Sequence, residues 1–153
     1  MTARYFKFES DFAGTLRCVP MCVRFKLDLA GVKLKLGEWS KLSPAEREYI
    51  AALPVDTRAA VQTFRNVIVI LTRIATGAIP SLMDPVNPDW NDDDVPDQVA
   101  EKAVSLGVAV PPESWRGLDE LERFALMKLS RPGHEGKNFG PALEEFGVPH
   151  GGE

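Results

Sequence analysis

Trp39-Ser40-Lys41-Leu42-Ser43-Pro44-Ala45-Glu46-Arg47 and, 76 residues further on, Trp115-Arg116-Gly117-Leu118-Asp119-Glu120-Leu121-Glu122-Arg123 decide the reading of the fold. In each stretch a tryptophan and a leucine lead into a helix start signal. Ser43 or Asp119 has the short oxygen-bearing side chain of an N-cap, and Glu46 or Glu122, three residues on, completes a capping box by reaching back to the cap's own N–H. Pro44 stands at the first helical position, where its missing N–H removes no hydrogen bond. The glutamates thus have a structural task. Arg47 and Arg123 follow them directly and point elsewhere on the helix. Each is expected to form a salt bridge, at the surface or with the other copy.

The correspondence extends outward at the same offset. Pro20 falls on Pro96, Val23 on Val99, Lys26 on Lys102, Gly31-Val32 on Gly107-Val108, Leu42 on Leu118 and Leu53 on Leu129. With the tryptophans and the Glu-Arg pairs, 10 of the 35 positions from Pro20 to Pro54 are identical without a gap, several times the chance expectation. The pattern predicts a duplication, with copies at 20–54 and 96–130. In each copy a proline opens a first helix, which runs in copy one along Val23, Leu27 and Ala30. Gly31 or Gly107 stops it, since glycine accepts the left-handed conformation. An extended connection then leads to the tryptophan. Trp39 and Trp115 are expected to pack between the helices of their own unit, with a partner anchor as the alternative.

Outside the copies, Val61, Phe64, Val67, Ile68, Leu71 and Ile74 predict a long helix over residues 57–76. Phe139, Leu143 and Phe146 predict a last, shorter one. Tyr5-Phe6-Lys7-Phe8 alternates as a short extended arm would. The expected fold class is all-α: two copies of a helix-turn-helix unit packed as a small helical bundle, in a single domain over 1–153. An Asp/Pro-rich connection, 77–95, reads as a solvated linker.

Composition limits the function classes. The chain has 153 residues, 44% hydrophobic and 26% charged, enough to bury a core in the ordinary soluble range. No apolar run approaches the roughly 18–20 residues of a membrane span, and the N-terminus lacks the apolar stretch of a signal peptide. No membrane partner and a cytoplasmic location are expected. The net charge of −4 conceals an asymmetry. Residues 1–80 carry 12 Lys/Arg against 7 Asp/Glu, and residues 81–153 carry 6 against 15. Such halves suit each other or a charged partner surface. Without a basic cluster interleaved with aromatics, nucleic acid is not expected as a partner.

The inventory for chemistry is thin. Cys18 and Cys22 stand four apart and would share one face if their segment were helical. They read as thiols packed like small hydrophobes, with a redox or metal-sharing pair as the alternative. The Asp-rich connection lacks the ligand spacing of an EF-hand loop. His134 is followed four residues on by Asn138, so no HExxH pattern is present, and neither a phosphate-binding glycine loop nor a GxSxG elbow occurs. No catalytic residue, metal or cofactor is assigned. The polar stretch Arg131 to Phe139 has no counterpart in the first copy. It reads as a turn before the last helix or as a partner-binding segment.

Several of these pieces together resemble the nitrate-reductase-associated protein family. They are Phe6-Lys7-Phe8-Glu9 with Asp11-Phe12, Leu16-Arg17-Cys18-Val19-Pro20-Met21, and Val23-Arg24-Phe25-Lys26-Leu27-Asp28. To these add Gly31-Val32-Lys33-Leu34-Lys35-Leu36, Trp39, the Glu46-Arg47 helix, and Leu129-Ser130-Arg131-Pro132 with His134-Glu135 and Asn138-Phe139. The resemblance spans residues 5–148. It implies a small bacterial protein of cyanobacterial type, whose genes lie beside those for assimilatory nitrate reductase and molybdenum-cofactor synthesis. It implies support of reductase activity, without a reaction of its own or a settled set of ligand residues.

Three functions follow as expectations. The first is a non-catalytic accessory or maturation factor that binds nitrate reductase or a molybdenum-cofactor delivery protein, through Arg24, Arg131, His134, Glu135, Asn138 and Phe139. The second is a metal or thiol redox module using Cys18 and Cys22. The third is a small-anion or pterin-binding enzyme, with Arg24, Arg131 and His134 on the anion, because guanidinium donates two hydrogen bonds to an oxyanion.

Overall fold

The computed structural model describes residues 3–9, 16–84, 89–131 and 137–148. Among these the chain is mostly helical, with eight α-helices and one two-stranded sheet, and it divides into two units, Met1–Asn87 and Pro88–Glu153.

In the first unit, helix α1 (Met21–Ala30) starts one residue after Pro20, which is extended and serves as the N-cap. Gly31 ends it with φ of 72°, its N–H turned back to the carbonyls of Leu27 and Asp28. The chain is left extended and forms strand β1 (Val32–Lys33). Strand β1 pairs antiparallel with β2 (Ser81–Leu82), Val32 opposite Leu82 and Lys33 opposite Ser81, and Met83 N–H extends the ladder to Gly31 O at 2.9 Å. The described residues are largely all-α, as expected, with this two-stranded ribbon as an addition. Strands of two residues are too short to show the alternation by which sequence betrays a strand.

An extended connection, β1 and the extended Lys35, leads to the tryptophan as expected, but the short helix that holds the indole left no signal in the sequence. Trp39 lies within a five-residue helix, α2 (Leu36–Ser40). Helix α3 (Pro44–Ala52) opens on the expected capping box: Ser43 Oγ accepts from Glu46 N–H and Glu46 Oε1 from Ser43 N–H. Helix α4 (Arg58–Thr76) takes Thr57 as its N-cap and runs the predicted length. Phe64, Ile68 and Thr72, four residues apart, are buried where it packs on α1, α2 and α3. Phe25, Trp39, Leu42 and Ile50 complete this core.

The second unit begins with a 3-10 turn, Asp89–Asn91, followed by α5 (Asp97–Ser105), α6 (Pro112–Arg116), α7 (Glu120–Leu129) and α8 (Phe139–Glu145). Asp119 and Glu122 form the second expected capping box, and Gly107 has φ of 76°. The 77–95 stretch is more than a solvated linker, since it contributes β2 and a buried Trp90. The Trp90 ring meets Phe124 edge-on, with centroids 5.1 Å apart. Trp115, Leu121, Phe124, Leu126, Phe139 and Leu143 form the rest of this core.

Arg47 and Arg123 correct the salt-bridge expectation, because their hydrogen bonds go to backbone carbonyls. Arg47 Nε donates to Trp39 O (3.2 Å), Nη2 to Ser40 O (2.8 Å) and Nη1 to Leu16 O (3.5 Å). Arg123 Nε donates to Trp115 O (3.2 Å), Nη2 to Arg116 O (3.1 Å), and Nη1 to Trp90 O (3.3 Å) and Asp92 O (3.5 Å). The indoles close each arrangement: Trp39 Nε1 donates to Leu16 O at 2.8 Å, and Trp115 Nε1 to Asp92 O at 2.9 Å. Leu16 presents its carbonyl from the left-handed region, φ 53°, which a non-glycine residue enters only when its surroundings hold it there.

A lysine ammonium is a point donor and does not span the guanidinium's fork. Arg47→Lys and Arg123→Lys are each expected to cost about 2 kcal/mol in urea unfolding, through half-buried carbonyls left without donors. By contrast, Thr72 Oγ1 is buried without a hydrogen-bond partner among the described residues. Its isosteric replacement in Thr72→Val should raise stability by about 1 kcal/mol in the same assay.

Candidate functional site

Two places gather polar groups, one in each unit. In the first, Pro20 has no side chain able to cap α1, and Glu9 supplies the cap from eleven residues upstream. Its Oε1 accepts from Met21 N–H at 2.6 Å and its Oε2 from Phe6 N–H at 3.0 Å. The carboxylate thereby ties the N-terminal segment to the helix. That segment is a 3-10 turn (Lys7–Glu9) with Phe6 buried rather than the extended arm expected from its alternation. Cys22 and Lys26 follow one turn apart on α1, both fully buried, and Lys26 Nζ donates to Ala51 O at 2.6 Å. The polar cluster therefore belongs to the packing of α1, α3 and the N-terminal segment.

Burial dominates its electrostatics. Loss of water pushes the Cys22 thiol above its ordinary value of 9.0, reinforced by the Glu9 charge and opposed by Lys26 and backbone N–H groups. The same desolvation pulls the Lys26 ammonium below 10.5, with Cys22 acting against it. Tyr5 is raised by burial and by Cys22, Glu48 and Glu9. Cys18 lies outside α1, in a bend before Pro20, so the two thiols do not share a helix face as the spacing suggested. Both are free, Cys18 half-buried and Cys22 buried. A buried thiol with a raised pKa is a poor nucleophile and a poor metal ligand.

In the second unit, the end of α7 is fixed by Gln98, whose Nε2 donates to Met127 O (2.7 Å) and Ser130 Oγ (2.6 Å); Ser130 Oγ donates in turn to Met127 O (2.7 Å). Arg131 follows, exposed. Asn138 is the half-buried N-cap residue of α8, and Phe139 is fully buried and fills the core. Of the residues proposed for a partner, Asn138 and Phe139 thus start one helix, Arg131 stands just past another, and Arg24 lies half-buried on α1 of the first unit. His134 and Glu135 lie outside the described residues. Gln98 and Glu9 escaped the sequence reading, because a side chain that reaches a distant backbone group leaves no local pattern.

Among the described residues no group of three or more His, Cys, Asp or Glu is placed to hold a metal ion, and no helix is long and apolar enough to cross a membrane. These features define a helical protein whose visible polar chemistry serves its own backbone. The family model for the conserved nitrate reductase-associated protein matches residues 5–146, and the chain belongs to that family. No curated protein and no solved structure matches it.

The two shifts make opposite contributions to stability at alkaline pH. Cys22, raised in the folded state, stabilises fully below 9.0 and loses that contribution as pH rises through its folded value. Lys26, lowered when folded, gives a stability that grows as pH approaches 10.5 and is lost as pH falls through its folded value. Chemical unfolding between pH 8 and 10.5 should therefore show a flatter alkaline decline for Cys22→Ala and a steeper one for Lys26→Met. Titration of the native protein with a thiol reagent should find Cys18 reacting first, with Cys22 released only on unfolding.

Proposed function

We propose that this protein is a non-catalytic accessory or maturation factor for assimilatory nitrate reductase, working in the cytoplasm by binding the reductase or a molybdenum-cofactor delivery protein. The observation that carries this reading is membership of the family over nearly the whole chain, residues 5–146. The polar groups support it: guanidinium, indole and buried carboxylate are engaged with backbone, as in a protein built to present a surface. Arg131 and the segment up to Asn138 remain the proposed partner contact in the second unit, Phe139 being withdrawn because the core buries it, with Gln98 holding the end of α7. The thiol-redox and anion-binding readings gain no support from the geometry, which buries Cys22 and places Arg24 and Arg131 in different units.

The duplication also stays a proposal. It is supported by equivalent bonds at an offset of 76 residues, Arg47 with Trp39 and Leu16 against Arg123 with Trp115 and Asp92.

Deletion of the gene tests the function. During growth on nitrate, reductase protein should be present at its normal level while its activity falls severalfold. Unchanged activity would remove the accessory reading.

A further inference from the structure

Six large apolar side chains of the first unit stand exposed in two stretches that the fold joins: Leu36 on α2, Ile70 and Ile74 on α4, and Ile79, Leu82 and Met83 beyond it. Ile74 is 75% exposed and Ile70 56%, and their i, i+4 spacing puts them on one side of α4, away from Phe64, Ile68 and Thr72. The two stretches, 31–36 and 58–83, are tied together by the β1–β2 ladder, by Met83 N–H on Gly31 O, by Arg65 Nη1 on Ala30 O at 3.1 Å, and by the packing of α2 on α4. In the second unit, the only described large apolar side chains so exposed are Val104 and Leu106. Single exposed hydrophobes are ordinary, but a concentration of them on one part of a fold marks a binding surface.

The charge of this region says what fits it. Stretches 31–36 and 58–83 contain Lys33, Lys35, Arg58, Arg65 and Arg73, against which stand only Glu38 on α2 and Asp84 just beyond Met83. Lys33, Lys35, Arg58 and Arg73 are exposed. A soluble helix surface normally intersperses both signs; here a 19-residue helix holds three arginines and no acid. Apolar residues edged mainly by basic side chains complement a mainly acidic surface, which speeds encounter and rejects like-charged partners.

We infer that this basic-rimmed apolar face of α4 and the β-ribbon is a docking surface for an acidic protein partner, an apolar patch edged by Asp and Glu. Resting on the function proposed above, that partner is nitrate reductase itself. Docking would cover Ile70 and Ile74 and bring Arg73, Lys33 and Lys35 against the partner's carboxylates.

Calorimetric titration of the full-length protein with purified nitrate reductase tests this, at low and at 0.3 M salt. Ile74→Asp and Arg73→Glu are both exposed substitutions, and retention of the wild-type thermal midpoint shows that each still folds. Wild type should bind, more weakly in high salt, and each variant should bind at least tenfold more weakly, with Arg73→Glu showing a reduced salt dependence. Equal binding by wild type and both variants overturns the docking face and leaves the accessory reading intact. A wild type that does not bind the reductase refutes the partnership and the docking face with it. Light scattering supplies the remaining outcome: a wild-type dimer that Ile74→Asp converts to monomer would assign the face to a second copy of this chain and overturn the proposal.

Discussion

A helix of five residues leaves most of its terminal carbonyls without a helical partner, and this constraint organises both units. Helices α2 and α6 are of this length, and each carries a tryptophan that the core requires. Ending such a helix strands carbonyls that are only partly exposed to water. The guanidinium one turn into the next helix answers the problem. Its fork donates to the tryptophan carbonyl and to the next one, and its remaining amine, together with the indole N–H, holds an incoming strand of backbone. One side chain thereby joins three segments. In the second unit Arg123 does the same and also stacks on Trp115, 5.5 Å from the ring centroid.

From that junction the remaining architecture follows. The capping boxes at Ser43 and Asp119 set the start of α3 and α7, so that Arg47 and Arg123 fall one turn in, within reach of the tryptophan carbonyl. With α2 and α3 fixed, α4 has a platform on which to bury Phe64 and Ile68, and its opposite side keeps Ile70 and Ile74 in solvent. The N-terminal segment is held at a separate point, where the Glu9 carboxylate caps α1 beside a buried thiol and a buried ammonium. Polar groups turned inward thus hold both units together in a member of a family named for its association with nitrate reductase.

What the sequence revealed and what it hid divide by range. The boxes at Ser43–Glu46 and Asp119–Glu122 were legible because cap and partner are three residues apart and the chemistry is local. Helix α4 was legible from its periodicity, and Gly31 and Gly107 from the left-handed turns they make. The partners of Arg47 and Arg123 were not, because the acceptors are main-chain oxygens up to 33 residues away, which no residue type announces. A salt bridge was the natural expectation for an arginine behind a glutamate, yet that glutamate was already engaged with its own cap. The same reasoning explains Glu9, which no local pattern marks although it caps a helix across 12 residues of chain. Of the candidate partner residues, Phe139 was legible as an apolar position of the last helix through its spacing with Leu143, and that packing is what takes it from the surface.

Hydrogen exchange of the indole N–H protons, followed by nuclear magnetic resonance, tests the central claim most directly, namely that each unit rests on its own arginine–tryptophan junction. Trp39 and Trp115 should both exchange orders of magnitude more slowly than free indole, and Arg47→Lys should accelerate Trp39 well beyond its effect on Trp115. Exchange of both protons at the free-indole rate in the folded wild type would contradict the account.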